Sequence, residues 1–210
     1  MPVRDVITRS PHRRAGFVAC PWFQSSPIEY ESLLERDFIR LALLDLKFHS
    51  IEHQPFVIDL NELGEYTPDF LLLGENRKVV VEVKPDEHAE NERNRPRLAR
   101  ARTVLRPAGY EFVVATEKEI RSNDRHNRAA ILLRHARSHL NPQEGNLLRS
   151  HAARFPSGMA LGALAASTGL PVSTVLHVIG RRGLRINSAF DFSDSQLVFP
   201  IGGENASLCA

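Results

Sequence analysis

Apolar residues recur along the chain in short blocks, and the period within each block predicts its element. From Tyr30 to Leu46 the period is helical. Ser32 followed by Glu35 fits a capping box that starts the helix at Ser32. Glu35 then heads an apolar stripe through Phe38, Ile39, Ala42 and Leu46. From Glu52 to Leu60 the period shortens to two, with Phe56, Ile58 and Leu60 alternating against Val57 and Asp59. This predicts a strand, antiparallel to its successor if Asn61 to Glu65 forms the turn. Tyr66–Leu73 and Val79–Lys84 are two further strands, and Gly74 to Arg77 reads as the hairpin turn between them. Pro85 ends the second, and the charged stretch to Pro96 has no apolar stripe, which predicts exposure. A helical pattern resumes at Arg97 through Leu98, Ala101, Val104 and Leu105, and Gly109 stops it. Tyr110 to Ala115 is a near-continuous apolar run suited to a sheet interior. Helix, three strands, helix, strand predicts an α/β layer whose last crossover is parallel.

The hairpin carries the candidate chemistry. Side chains alternate across a strand, so Glu82 and Lys84 share a face with Val80, while Val79, Val81 and Val83 line the other. If the turn is Gly74 to Arg77, Leu73 faces Lys78, and counting back places Asp69 opposite Glu82. Two carboxylates paired across strands repel at Cβ separations of about 4.5–5.5 Å. A divalent cation between them removes that penalty, and hard cations such as magnesium prefer carboxylate oxygens. Lys84, one pleat along, is positioned to hold an attacking water or the phosphate it attacks. These residues predict a phosphodiester-cutting site, although each half alone is an ordinary strand end, and a one-residue slip in register separates the acids. Glu35 has two compatible readings: it caps its helix, or it points inward and needs a partner such as a metal site on the neighbouring sheet. Gln54 either reaches the site or is a surface amide.

Charge divides the chain near Arg121. Residues 1–120 hold 17 Lys/Arg against 20 Asp/Glu, a net of −3; residues 121–210 hold 10 against 5, a net of +5, which gives the chain's +2. All ten basic residues of the second part are arginine, a residue suited to phosphate contact. Ser122 to Leu140 reads as a linking helix and Asn141-Pro142 breaks the chain. Leu147–Phe155, Met159–Thr168 and the segment opened by Pro171 read as three short helices, with Gly169 ending the second. Leu184–Ile186 and Gln196–Phe199 read as two strands. Helix, turn, helix and hairpin together form a winged helix-turn-helix pattern. Its third helix carries Ser173, Thr174, His177, Arg181 and Arg182 as candidates for DNA contact. Winged helices also dock proteins, so both readings of this region stay open. At the other end, Arg4, Arg9, His12, Arg13 and Arg14 form a basic arm that either lies along DNA or is solvated.

Composition excludes several classes. Two cysteines in 210 residues, Cys20 and Cys209, make no disulfide framework, and a reducing cytoplasm fits. No apolar run reaches the ~18–20 residues of a membrane span, and the N-terminus lacks a signal-peptide core. There is no Gly-rich phosphate loop, and the nine histidines show no paired zinc-ligand spacing. The expected organisation is a basic arm at 1–28, a nuclease domain at 29–121, a linking helix at 122–141 and a winged-helix-like domain at 142–210.

The pattern Pro68-Asp69 with Glu82-Val83-Lys84 resembles the PD-(D/E)xK nuclease superfamily. Within it the chain is similar to the TnsA-type endonucleases of heteromeric transposases. The matching stretch runs from about Ser10 to Ile120. It includes Arg13–Phe17, the Ser32-Leu33-Leu34-Glu35 helix, His53-Gln54-Pro55-Phe56, Tyr66–Leu71, Val81–Pro85 and Phe112–Ile120. The resemblance implies a restriction-endonuclease-like mixed sheet flanked by helices. It implies an active site of Glu35, Asp69, Glu82 and Lys84, with Mg²⁺ held by Asp69, Glu82, the main-chain oxygen of Val83 and Glu35. Some relatives carry Gln where this chain has Glu82, and both can ligate a metal. It further implies nicking of the 5′ strands at transposon ends in double-stranded DNA, beside a DDE-type transposase that cuts and joins the 3′ ends and an AAA+ ATPase that regulates both. A bacterial cytoplasm, at the nucleoid during action, is the expected location. The alternatives are a stand-alone restriction or repair nuclease, and a winged-helix DNA-binding assembly protein without catalysis.

Overall fold

The computed structural model describes residues 14–89, 91, 92 and 94–202. Arg4, Arg9, His12, Arg13 and Cys209 lie outside the described residues. The chain forms two compact units, Met1–Ser122 and Asn123–Ala210.

The first unit opens with an antiparallel pair, β1 (Gly16–Val18) and β2 (Ile28–Tyr30). Helix α1 (Leu33–Leu44) follows, with Ser32 as its N-cap accepting the Glu35 N–H. It ends two residues before Leu46, so the expected stripe stops at Ala42. Then come β3 (Ser50–His53), β4 (Ile58–Asp59), β5 (Glu65–Tyr66), β6 (Phe70–Leu73) and β7 (Lys78–Lys84). Helices α2 (Asp86–Ala89) and α3 (Asn94–Leu105), strand β8 (Glu111–Thr116) and helix α4 (Glu117–Arg121) complete the unit. The main sheet has the order β3-β6-β7-β8. Strands β3, β6 and β7 are antiparallel neighbours and β7 runs parallel to β8. Leu73 pairs with Lys78, as the turn length predicts. The turn is tight: the Gly74 N–H donates to the Arg77 carbonyl at 2.9 Å. A Cβ on Gly74 would lie 2.3 Å from the Lys47 carbonyl oxygen, so only glycine fits there.

Three expectations change. The strand expected over Glu52 to Leu60 is two strands. The backbone turns at Gln54, where φ is +44°, so β3 pairs with β6 while β4 leaves the main sheet to pair with β5. The run Tyr66–Leu73 is likewise interrupted by Thr67-Pro68-Asp69, since Pro68 has no N–H for a ladder. Finally, β8 is an edge strand and not an interior one: Val113, on the face away from α3, is 42% exposed. Its apolar content serves the other face, where Phe112 joins Val80, Leu71, Leu60, Tyr66, Ala101 and Leu105 in a core under α3. On the opposite face α1 covers the sheet, with Phe38 stacked on Phe70 at 5.4 Å between ring centroids.

The second unit contains α5 (Arg125–Ala136), α6 (Pro142–Ala152), β9 (Met159–Ala160), α7 (Leu161–Thr168), α8 (Val172–Gly180), β10 (Leu184–Arg185) and β11 (Leu197–Pro200). Asn141 caps α6 through its side-chain oxygen, which accepts the Gln143 N–H, and Pro142 occupies the first turn. Met159–Ala160 is a strand and not the start of a helix, because it pairs with β11 to make a sheet of order β10-β11-β9. Helix α5, within the segment read as a link, packs on α8 as part of this unit. The approach is close: a Cβ on Gly180 would sit 2.4 Å from the Leu132 carbonyl oxygen. Leu132, Leu148, Leu161, Leu164, Val175, Leu184 and Val198 are fully buried and form this unit's core.

Candidate active site

The site is assembled where the two interrupted strands meet the end of β7. The ladder pairs Phe70 with Val81 and ends there; Asp69, the next residue back, lies just off the strand beside Val83. Two main-chain bonds hold Asp69 in place. Its carbonyl accepts the Gln54 N–H at 2.9 Å, and its Oδ2 accepts the Val83 N–H at 2.7 Å. Val83 thus meets the site through its N–H. Glu82 is 3% exposed, and both of its oxygens are engaged. Lys84 Nζ lies 2.5 Å from Oε1, and the Tyr66 hydroxyl donates to Oε2 at 2.5 Å. A buried carboxylate requires such partners.

Glu35 closes the start of its helix and is buried. Its Oε2 accepts the Glu31 N–H at 2.7 Å and its Oε1 accepts the Ser32 hydroxyl at 2.8 Å, which closes the start of α1. It is also buried and electrostatically coupled to the sheet acids. Burial pushes its carboxyl above the usual range, offset in part by the Glu31 and Ser32 bonds and the Lys84 charge. Asp69 is pushed well above its ordinary value, first by burial, then by the charges of Glu82 and Glu35. For Lys84, burial pulls the ammonium down, but Glu82, Asp69 and Glu35 outweigh it and the net direction is up. Tyr66 is raised by burial and by Glu82, so its hydroxyl keeps its proton and acts as a donor. The charges of Glu82, Asp69 and Glu35 all act on Lys84, and those of Glu82 and Glu35 act on Asp69.

Tyr66 and Gln54 are the two residues whose roles only the structure defines. Strict alternation puts Tyr66 on the opposite face from Asp69, three residues on; the break at Pro68 returns it to the same side. Gln54 is 4% exposed, so it is no surface amide. Its side chain donates to Glu31 Oε1 at 3.2 Å while its main chain holds Asp69. A non-glycine residue at positive φ is strained, and such strain collects at functional sites. Gln54 thereby ties the start of β6 to the start of α1.

Among the described residues, no three His, Cys, Asp or Glu side chains form a ready metal cage. What they offer is a neighbouring pair of hard oxygen donors, with an ammonium already seated on one of them. Mg²⁺ keeps several waters and shares a substrate phosphate, so few protein ligands fit its needs.

Residues 45–117 match the family model described as TnsA-like endonuclease N terminal. Over this stretch the chain is similar to TnsA-like endonucleases. The matched stretch carries Tyr66, Asp69, Glu82, Lys84 and all of α3, while Glu35 stands on the helix ahead of it. A search of curated proteins finds no match to the chain.

Outside the matched stretch the other candidates divide. Arg14 is exposed, ahead of β1. On α8 Ser173 is exposed, but Thr174 and His177 are 8% and 5% exposed and face inward, contrary to the expectation that they face a groove. His177 Nδ1 lies 3.0 Å from the His135 carbonyl and 3.1 Å from Ser138 Oγ, and burial lowers its pKa. Arg181 is exposed and its Nε donates to the Ala136 carbonyl at 2.7 Å; Arg182, half-buried, has a φ of +63°. Apolar packing of α8 on α5 claims the positions at which helical spacing placed Thr174 and His177.

Proposed function

We propose that the protein is a Mg²⁺-dependent DNA endonuclease that nicks the 5′ strands at transposon ends, as the TnsA-like subunit of a heteromeric cut-and-paste transposase. The observation that carries this reading is Asp69 bonded to the Val83 N–H and raised by the neighbouring charge of Glu82, with Lys84 seated on Glu82, inside a stretch similar to TnsA-like endonucleases. Asp69, Glu82 and the main-chain oxygen of Val83 are the proposed metal ligands, with Glu35 reaching the ion directly or through water. When bound there, the ion supplies Lewis acidity at a phosphate oxygen and lowers the pKa of water.

The protein's own groups do the rest. Lys84 is held protonated by three carboxylates, so it serves as a cation and not as a base. It orients the attacking water or stabilises the charge that builds on the phosphorane. Tyr66 keeps Glu82 aimed through a bond its raised pKa preserves. From α6 onward the second unit has the order helix–strand–helix–helix–strand–strand, which supports a winged-helix reading in which it contacts DNA or the partners. Those partners are a DDE-type transposase and an AAA+ ATPase, acting on double-stranded transposon ends in the bacterial cytoplasm.

The test is Mg²⁺-dependent nicking of end-containing duplex DNA with the partners supplied, comparing wild type with Asp69→Ala. Wild type should nick and the variant should not. Equal activity from both removes the site. Efficient cutting by the chain alone points to a stand-alone nuclease.

A further inference from the structure

Helix α3 departs from the charge pattern of its unit. Residues 94–106 hold five arginines (Arg95, Arg97, Arg100, Arg102 and Arg106) and no acid. Without them, residues 1–120 carry 12 basic against 20 acidic residues, so the positive charge of this unit is concentrated here. Arg95, Arg100, Arg102 and Arg106 are exposed and Arg97 is half-buried. An ordinary solvated helix intersperses acids at i±3 and i±4, which contribute about 0.2–0.5 kcal/mol per pair. Helix α1 shows the contrast, since Arg36 and Arg40 both bond to Asp37. In α3, Arg97 and Arg100 are like-charged at i+3, Arg102 and Arg106 at i+4, and no acidic residue sits in the first turn. Positive charge in a first turn also opposes the helix dipole. Arg102 in the last turn suits the dipole, so the unfavourable charge lies in the first turn and in the like-charged pairs, and a polyanion relieves both.

Its position suits that ligand. Leu98, Ala101 and Leu105 bury the third side of α3 on the face of the sheet that carries Val80, Glu82 and Lys84. Because α3 is the crossover that follows β7, its first turns stand at the Lys84 end of the strand. Arg97 marks the approach: its Nη2 donates to the Glu65 carbonyl at 2.7 Å, next to Tyr66, whose hydroxyl it influences electrostatically. The guanidinium of Arg102 lies 5.9 Å from the centroid of the Phe112 ring, on a residue that is otherwise exposed. The arginines flank the buried stripe in two rows, Arg95, Arg102 and Arg106 on one side and Arg97 and Arg100 on the other.

We infer that α3 is a phosphate-tracking surface, on which the sugar–phosphate backbone of duplex DNA lies while its scissile bond occupies the site beside Lys84. This rests on the nuclease reading for its substrate, but not for its evidence. Contacts to phosphate position DNA without reading sequence. They also release counterions, so the logarithm of affinity falls with the logarithm of salt by ~0.9 for each phosphate neutralised.

The experiment measures binding of the full chain to a fluorescent duplex by anisotropy, in EDTA, from low to moderate NaCl. The triple variant Arg95→Gln, Arg100→Gln, Arg102→Gln should bind at least roughly tenfold more weakly, with a salt slope shallower by about 2–3. The corresponding triple Lys variant should keep the slope, because it keeps the charge. The Gln variant should melt no lower than wild type, since it removes repulsion; if it unfolds, Arg100→Gln alone should lower the slope by about one. Asp69→Asn, run alongside, should bind like wild type and fail to nick with partners and Mg²⁺. An unchanged slope in a folded Gln variant, or no duplex binding by wild type at low salt, overturns the surface. A changed slope together with full nicking by Asp69→Asn leaves the surface standing and removes the catalytic reading instead.

Discussion

Asp69 is the residue at which stability and function conflict. Its folded pKa is raised, by burial first and then by Glu82 and Glu35. A raised acid contributes its stability below the ordinary carboxylate pKa of about 3.9, and that contribution is lost as pH rises through the folded value. Without divalent cation, stability should therefore fall as pH rises from the acidic side toward neutrality. Asp69→Asn keeps an oxygen for the Val83 N–H while removing the charge, so it should raise Tm at pH 7 and flatten the pH slope. Millimolar Mg²⁺ should raise the Tm of wild type but not of the variant. A variant less stable than wild type at neutral pH without metal contradicts this picture. Tyr66→Phe should act in the opposite sense. It leaves a buried Glu82 oxygen without its donor, at a cost of about 1–3 kcal/mol read from urea unfolding. It should also lower nicking by loosening Glu82, and wild-type values for both would show that the 2.5 Å bond does not matter.

At the scale of elements, one buried carboxylate joins two helices of the first unit. Asp37, 1% exposed, bonds Arg36 and Arg40 from its own helix and Arg121 from α4 at 3.1 Å. Arg121 also pairs with Glu117 one turn back. Asp37→Ala removes the buried acceptor of three partly exposed arginines, which can turn to water, so it should destabilise the unit by about 1–3 kcal/mol. An unfolding free energy within about 1 kcal/mol of wild type would mean the cluster is solvated after all. In the second unit the equivalent weak point is the crossing of α5 and α8. A methyl group on Gly180 must push Leu132 aside, so Gly180→Ala should cost roughly 1–3 kcal/mol by overpacking.

At the scale of the whole molecule, two cores built around different residues predict separable responses. Amide exchange in α1, β6 and β7 should accelerate in Asp37→Ala while α5 and α8 keep wild-type protection. Gly180→Ala should give the converse. Exchange that rises throughout the chain in either variant would mean a single cooperative unit. The reversal of net charge near Arg121 falls at the boundary between the units, Ser122. Yet the first unit is not uniformly acidic, because α3 and the residue after it gather five arginines, and a net charge averages that contrast away.

The sequence alone determined which residues meet on the hairpin. A turn of fixed length and a period of two dictate the register from Leu73–Lys78 to Phe70–Val81, and put Glu82 and Lys84 on one face. It also determined the start of α1, since a hydroxyl and a carboxylate three residues apart satisfy free N–H groups at the helix start without tertiary help. Tertiary structure decided what counting along a strand cannot. The breaks at Gln54 and Pro68 reverse the alternation that counting assumes, and bring Tyr66 and Gln54 to the acids. Packing of α8 on α5 turns Thr174 and His177 inward, and the position of β8 at the sheet edge leaves Val113 in solvent. Local periodicity fixes which side chains share a face; only contacts between elements distant in the chain fix what that face meets.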